Sequence, residues 1–527
     1  MKNKNGPRKS QKEFDREKSK KKPELENIKR LRALVNGQVE GKKQVAIVGG
    51  GVTGLAAAER LLELRPDWDV ELFEAKGRLG GVVETLKQDG FLLELGPDSF
   101  ITHVPWGLEF CRKIGFEDQL IGTNERFRKA FVVSGAKLHE LPPGLMVLTI
   151  SRVWPLMATP LISVRGKLRA CLEVVLPRKK DSRDESLAEF ARRRFGREIF
   201  ERLMQPLASG IYMSDPERLS MQAAFPQYVE MEQKYGSLIR AARTRAAQAK
   251  KRAAEKGQDG GPRYSLFVSA RDGLSSLITA VSERLTTRGV RLHLNSSVQK
   301  LKRTPNGWEL HVSGTTTGTE PQQLHFDGIV LAVPAAAAAA LTKDVDEQLS
   351  QTLAGISSSH CVIVTLAFER QQVQHPLDGF GFVVPLAEGR QVVACTFSSV
   401  KYAGRAPEGK VLLRAFMGGA CRAEAAEWDD DTLLKTASKE LSELLGIHGQ
   451  PLLTHVQRMK HVMPQYEVGH LDRVAVIEKR LEELPGLQVA GNMFKGVGIP
   501  YCIHRGETAA ERLTQELDKA KAESASS

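Results

Sequence analysis

The chain has 527 residues, 41% of them hydrophobic and 26% charged, with a formal net charge of +13. That length exceeds one simple domain, and no apolar run approaches the roughly 18 residues of a membrane span, so two or three soluble cores are expected. Residues 1–43 carry 15 Lys/Arg against 6 Asp/Glu, which places most of the excess charge in one tail and argues against a nucleic-acid-binding body. The tail lacks the apolar core of a signal peptide and is too acidic for a transit peptide; it reads as a solvated extension, or as a weak attraction to an anionic membrane surface. Six cysteines (111, 171, 361, 395, 421 and 502) show no metal-ligand or disulfide spacing, as in a reduced cytoplasmic protein.

The first element of the folded body is a short apolar strand at 45–48, followed by Gly49-Gly50-Gly51-Val52-Thr53-Gly54 and an Ala-rich helix to 64. Gly49, Gly51 and Gly54 have the spacing that gives a tight turn, backbone approach to a pyrophosphate and close helix–strand packing. The helix N-terminus would present free N–H groups and a partial positive charge to the diphosphate. A second strand, 69–73, ends in Glu74, about 20 residues beyond the last glycine, where a ribose-binding carboxylate belongs. The expectation is a dinucleotide-binding fold. Glu74-Ala75-Lys76-Gly77-Arg78-Leu79-Gly80-Gly81, followed by Gly96-Pro97-Asp98-Ser99, resembles the amine-oxidase-type FAD-binding domain. The resemblance implies a resident, extended FAD touching Gly49 to Gly54, Glu74, Ala75, Arg78, Gly80, Gly81 and Gly96 to Ser99.

Further along, 106–114 reads as an amphipathic helix, and 128–134 with 136–139 as a hairpin. Residues 147–177 form an apolar stretch broken by Arg152, Arg165, Lys167 and Arg169, which suits a helix pair packed into the protein or lying on a bilayer surface. Helices follow at 186–195 and 197–204. Residues 239–263 read as an exposed basic helix entering a Gly-rich linker, without the interleaved aromatics of a nucleic-acid patch. Strands are expected at 290–294, 298–310 and 328–333, then at 360–368, 381–385, 392–397 and 411–416, with a helix at 430–445.

Gly210-Ile211-Tyr212-Met213-Ser214-Asp215-Pro216 and Pro464-Gln465-Tyr466-Glu467-Val468-Gly469-His470 are similar to stretches of the oxygen-dependent porphyrinogen oxidases. So is Gly491-Asn492-Met493-Phe494-Lys495-Gly496-Val497-Gly498-Ile499-Pro500, which opens a helix to 518. That family resemblance implies further FAD contacts at Val298, Gly491, Asn492, Val497, Gly498 and Ile499. It departs at Tyr501, where relatives usually carry aspartate, at Phe494, where tyrosine is common, and at Thr102-His103, where a basic residue is often kept.

The implied organisation is α/β: a discontinuous FAD-binding Rossmann-type domain (44–115, 264–340 and 481–520), a mixed-sheet substrate domain (116–146 and 341–480), a helical region with linker (147–263) and a short tail (521–527). The implied reaction removes six electrons from a coproporphyrinogen or protoporphyrinogen in three two-electron rounds. Oxygen is the acceptor, peroxide is released, and a downstream chelatase stands as partner. No metal or catalytic triad is expected, because positioning of the substrate against the flavin does most of the work. Phe380, Phe382, Val383, Phe397 and Phe416 are candidates to line an apolar slot or to be core, and Arg126 and Arg128 are candidates for the propionates. His470 stands as a candidate base or as a structural loop histidine. Other amine-oxidase-like enzymes, including amine oxidases and carotenoid desaturases, and a non-catalytic FAD-binding scaffold remain as alternatives.

Overall fold

The computed structural model describes residues 42–255, 265–314 and 322–526. The basic tail to residue 41 and the Gly-rich linker at 257–262 therefore lie outside the described residues.

A five-stranded parallel sheet forms the first layer, in the order Arg291–His293, Asp69–Phe73, Gln44–Val48, Gly328–Leu331 and Leu487–Val489. The central strand is buried along its whole length, which its unbroken apolar run requires of a strand covered on both faces. Helices Val52–Leu64, Ser275–Thr287 and Ile499–Ser526 cover one face through Leu55, Leu61, Leu277, Ile503 and Leu513. The last helix continues past residue 520, where the sequence suggested a tail. The stretch expected to supply sheet at 298–310 forms two strands with a turn between them. Ser297–Thr304, Gly307–Ser313 and Gln322–Phe326 make an antiparallel meander over the other face, where Trp308 and Phe326 are buried with Phe73.

The second layer is a seven-stranded sheet in the order Leu453–Pro464, Ser358–Glu369, Lys410–Gly418, Val392–Phe397, Gly381–Val383, Phe131–Ser134 and Lys137–Glu140. All its pairs are antiparallel except Gly381–Val383 with Phe131–Ser134, and that parallel pairing joins two distant segments of chain into one sheet. Helix Asp430–Leu445, capped by Asp429 accepting from the Thr432 N–H, packs on one face through Leu433, Ala437 and Leu441. The other face looks toward the cofactor layer and the helical region.

That helical region begins with Val153–Ala158 and Val164–Cys171 and ends with Leu238–Glu255. Its core surrounds Phe190, Phe195, Phe200 and Tyr228. Helix Leu187–Phe195 starts at a Ser186/Glu189 capping box, which satisfies N–H groups at its open end. Arg194, fully buried, is matched by Glu173 and Glu232, as a desolvated guanidinium requires.

Candidate active site

The turn after the first strand is held by backbone contacts that leave no room for side chains. A Cβ on Gly49 (φ +109°) would stand 2.4 Å from the Ala332 carbonyl oxygen, and one on Gly54 would stand 2.0 Å from that of Gly49. Gly51 is different: a Cβ there would meet nothing within 4 Å, and no side chain caps the helix that begins at Val52. Glu74, 9% exposed, accepts the Gly50 N–H (2.8 Å) and the Lys76 N–H (2.9 Å). Open space, an uncapped helix N-terminus and a carboxylate at the adjacent strand end together fit the diphosphate and ribose of a dinucleotide.

The second glycine pair lies against the first. Gly80 donates to the Gly50 carbonyl (2.8 Å), and Gly81 faces the Gly51 α-carbon. Arg78 does not reach into the open groove. Its guanidinium clamps this turn, donating to the Leu79, Gly81 and Val83 carbonyls and to Glu84 (2.5 Å). Gly96 stacks on the same turn, since a Cβ there would be 1.8 Å from the Val82 carbonyl oxygen. Ala75 is exposed beside Glu74. Val298 is half-buried near Ser296, whose N–H donates to the Glu74 carbonyl (2.8 Å).

The closing segment reaches the same place from the far end of the chain. Ala490 donates to the Leu331 carbonyl (2.9 Å), and Gly491 then turns with φ +145°. Asn492 donates to the Val462 carbonyl (3.1 Å) and accepts from the Tyr466 hydroxyl. His470 donates through Nε2 to the Phe494 carbonyl (2.9 Å) and stacks on Tyr466 at 4.4 Å. His470 is fully buried, burial lowers its pKa, and its ring holds this loop in place, away from solvent. Val497, Gly498 and Ile499 lead into the closing helix, where a Cβ on Gly506 would be 2.2 Å from the Thr53 carbonyl oxygen. The two helix starts thus converge on one groove.

Phe494 and Tyr501 have local explanations. Phe494 is 1% exposed beneath the Arg505 guanidinium (4.0 Å), a site for an aromatic face, and Arg505 pairs with Glu478 (3.2 Å). Tyr501 packs edge-on to Trp106 at 5.3 Å, and Trp106 stacks on His504 at 4.0 Å.

Asp98 points into the junction between the two layers. Lys401 Nζ lies 3.0 Å from both carboxylate oxygens, Arg414 lies 3.5 Å away, and the Ser99 hydroxyl donates at 2.6 Å. Burial opposes ionisation, but Lys401 and Arg414 outweigh it and hold this carboxyl well below its ordinary range. The Asp98 side chain is therefore engaged by protein cations.

The expected slot is only partly assembled. Phe382 and Phe397 are 2% and 0% exposed and belong to the core beneath helix Asp430–Leu445, on the wrong face of the sheet. Phe397 is paired with Leu413, so alternation along Lys410–Gly418 sends Arg414 and Phe416 to the opposite face. Phe416 there is half-buried, with the Arg414 guanidinium 5.2 Å from its ring. Phe380, half-buried, directly precedes the interior strand Gly381–Val383, donating to the Lys129 carbonyl and accepting from the Phe397 N–H. Across from this face, helix Gln205–Tyr212 exposes Gly210 and Ile211, the latter by 45%, and a Cβ on Gly210 would lie 3.7 Å from Val383. The helix thus packs against the sheet at Val383 and leaves Gly210 and Ile211 exposed as apolar surface, with Phe416 half-buried on the same sheet face as Val383. Arg126 and Arg128 stand on the exterior: Arg128 pairs with Glu125 (2.6 Å), and Arg126 lies over the Phe127 ring.

Sequence reading missed Gly210, Ile211, Lys401 and Arg414 as site-bordering residues. For Gly210 and Ile211 a signal existed, because they interrupt an otherwise buried helix; for the two cations it did not, since only pairing across the sheet brings them to Asp98. A cavity of about 220 Å³ is lined in part by Ser214, Asp215, Ser358, His360, Tyr466 and Glu467.

A two-layer dinucleotide-binding protein with a cofactor groove closed from both ends of the chain defines the class. Residues 52–514 match the family of flavin containing amine oxidoreductases, and the chain belongs to that family. It is 33% identical to the coproporphyrinogen III oxidase of Bacillus subtilis (strain 168), over 89% of this chain and 97% of that protein. It is 29% identical to the chloroplastic protoporphyrinogen oxidase of Nicotiana tabacum, over 92% of this chain and 88% of that one. A crystal structure described as a protoporphyrinogen oxidase from Exiguobacterium sp. 255-15 superposes with a TM-score of 0.78 at 30% identity, covering 91% of this chain and 99% of that one. The protein is an FAD-dependent oxidoreductase.

Proposed function

We propose that this enzyme oxidises a porphyrinogen to the porphyrin in haem biosynthesis, with coproporphyrinogen III as the preferred substrate. The observation that carries this reading is the groove fitted to FAD, with apolar surface from the exposed Gly210 and Ile211 and the half-buried Val383 and Phe416 on the side of the seven-stranded sheet that faces it. The copro- preference draws on the greater identity to relatives of that name, 33% against 29% for the tobacco protein. FAD, held by the glycine turn, Glu74 and the closing loop, supplies two-electron acceptance. The chain's own residues bind and orient. The apolar surface excludes water and holds the reduced macrocycle, while Tyr466 and His470 fix the loop that would back the flavin.

Oxygen as acceptor, a cytoplasmic setting, hand-over to a chelatase and contact with a membrane surface are further parts of this proposal. For the last, Trp154 (80% exposed), Val164 (71%), Leu168 (59%), Leu172 (51%) and Val175 (72%) support a surface-lying mode, with Arg165 and Arg178 also exposed nearby. Among the described residues no helix is long and apolar enough to cross a membrane.

The test is steady-state porphyrin fluorescence with FAD-loaded enzyme and each porphyrinogen. A higher kcat/KM for coproporphyrinogen III is expected. Absence of porphyrin from both substrates would remove the proposal.

A further inference from the structure

The junction between the cofactor layer and the seven-stranded sheet holds more positive than negative charge. Arg414 and Arg405 are 1% and 2% exposed, and the Lys401 side chain is 14% exposed. The carboxylates facing these three cations from inside the junction are Asp98 and Glu94; Asp272 also faces Arg405, but it is exposed and pairs with Lys87 (3.2 Å). Arg405 spends its donors on the Ser269 hydroxyl and on the Ala270 and Arg271 carbonyls, so no carboxylate touches it. Glu94 accepts from the Thr85 hydroxyl and the Leu274 N–H, and burial pushes its pKa up, toward the neutral form. Three cations therefore meet at most two anions in a dry interior.

Arg414 is incompletely satisfied. It donates to the Gly96 carbonyl (2.5 Å) and lies 3.5 Å from Asp98, but its buried Nε has no partner among the described residues. A surplus of buried positive charge is costly unless an anion answers it. The groove is close. Gly96 rests on the Val82 carbonyl, and Gly81, next in the chain, lies against the Gly51 α-carbon (3.3 Å from an added Cβ). Arg414 thus holds Gly96, and Gly96 packs on the turn that borders the space where the cofactor fits.

We propose that this surplus charge stabilises the negative charge bound FAD gains on reduction, and so raises its readiness to accept electrons. The proposal rests on the FAD-oxidase reading above. In the step concerned a substrate C–H bond breaks, its two electrons and proton pass to the flavin, and the flavin gains one net negative charge. The substrate is oxidised and the flavin reduced, with no further reactant. Arg414 and Lys401 act through the field in a low-dielectric interior and touch neither partner, so they are positioning residues.

The experiment measures the midpoint potential and the sulfite affinity of FAD-loaded wild type, Arg414→Met, Lys401→Met and the charge-keeping Arg414→Lys. Sulfite adds to oxidised flavin and leaves the same negative charge on the ring without turnover. Each Met variant is expected to shift the reduction equilibrium against the flavin by about tenfold, ~30 mV for a two-electron couple. Sulfite binding is expected to weaken by a similar factor, and Arg414→Lys to restore most of both. Wild-type potential and sulfite affinity in an FAD-loaded Met variant would overturn the inference. So would a change in KM alone, which would assign the charge to carboxylates of the substrate. If Arg414→Met does not load FAD, Lys401→Met decides by the same criteria. A wild-type protein that takes up no FAD would instead remove the flavoenzyme reading itself.

Discussion

The Tyr466 hydroxyl donates to the Asn492 carbonyl, so the Pro464-to-His470 turn is fastened to the loop that closes the cofactor groove. Its neighbour His470 holds Phe494 two residues further along the same loop. Two stretches that lie apart in the sequence are thus one device. Tyr466→Phe removes one hydrogen bond worth about 1 kcal/mol. Its expected result is a several-fold weaker FAD affinity by fluorescence titration, with secondary structure unchanged by circular dichroism. An unchanged affinity would show that the loop holds itself.

Glycines of the first turn should separate into two kinds. Gly54→Ala forces a Cβ to 2.0 Å from a backbone oxygen, and thermal unfolding of the apoprotein should fall by several degrees. Gly51→Ala has open space around it, so the apoprotein should melt as wild type does while FAD affinity drops. Equal melting losses in both would contradict the assignment of Gly51 to the ligand side.

Asp98 gives a pH signature. Its pKa is depressed in the folded state, so its stabilising contribution is present above the unfolded value of about 4. That contribution is lost as pH falls through the depressed folded value. Asp98→Asn leaves Lys401 and Arg414 without this partner and should cost about 3 kcal/mol at neutral pH. The difference from wild type in urea unfolding should shrink toward strongly acidic pH; a constant difference would mean the ion pairs contribute nothing.

Gly210 is exposed where its helix packs on Val383, with ordinary contact distance there for one added carbon and no room for more. Gly210→Val should therefore occupy substrate space, raising KM for the porphyrinogen about tenfold or more while the flavin absorbance spectrum stays as in wild type. A spectrum that shifts with KM unaltered would place Gly210 against the cofactor instead.

The exposed Trp154, Leu168 and Val175 are not needed by the core, and changing all three to serine should leave melting within about 1 kcal/mol of wild type. Co-sedimentation with vesicles containing anionic lipid should then be lost. Binding retained by the triple variant would remove this patch from consideration as the membrane contact.

What could be read along the chain was what depends on local spacing. The first strand, its glycine turn, Glu74 and the Asp430–Leu445 helix follow from apolar runs, glycine intervals and caps within a few dozen residues. For Phe382 and Phe397 the sequence left slot and core open, because alternation marks two faces without saying which is covered, and the structure places both in the core. The bulge between Val392 and Ala394 also changes the register inside Val392–Phe397. Arg78 likewise had the right neighbours for a cofactor ligand, yet the carbonyls of its own turn satisfy it first. The Lys401–Asp98 pair spans 303 positions, a separation no local pattern encodes.

The parallel cofactor sheet takes its central strand from residue 44 onward and an edge strand only at Leu487–Val489. During synthesis, the amino-terminal glycine turn emerges long before the segment that completes its groove. A ribosome-bound chain lacking that last portion cannot enclose the prosthetic group. Cofactor capture is therefore a late event in biogenesis, and carboxyl-terminal truncations ending before residue 487 should accumulate as colourless, protease-sensitive chains.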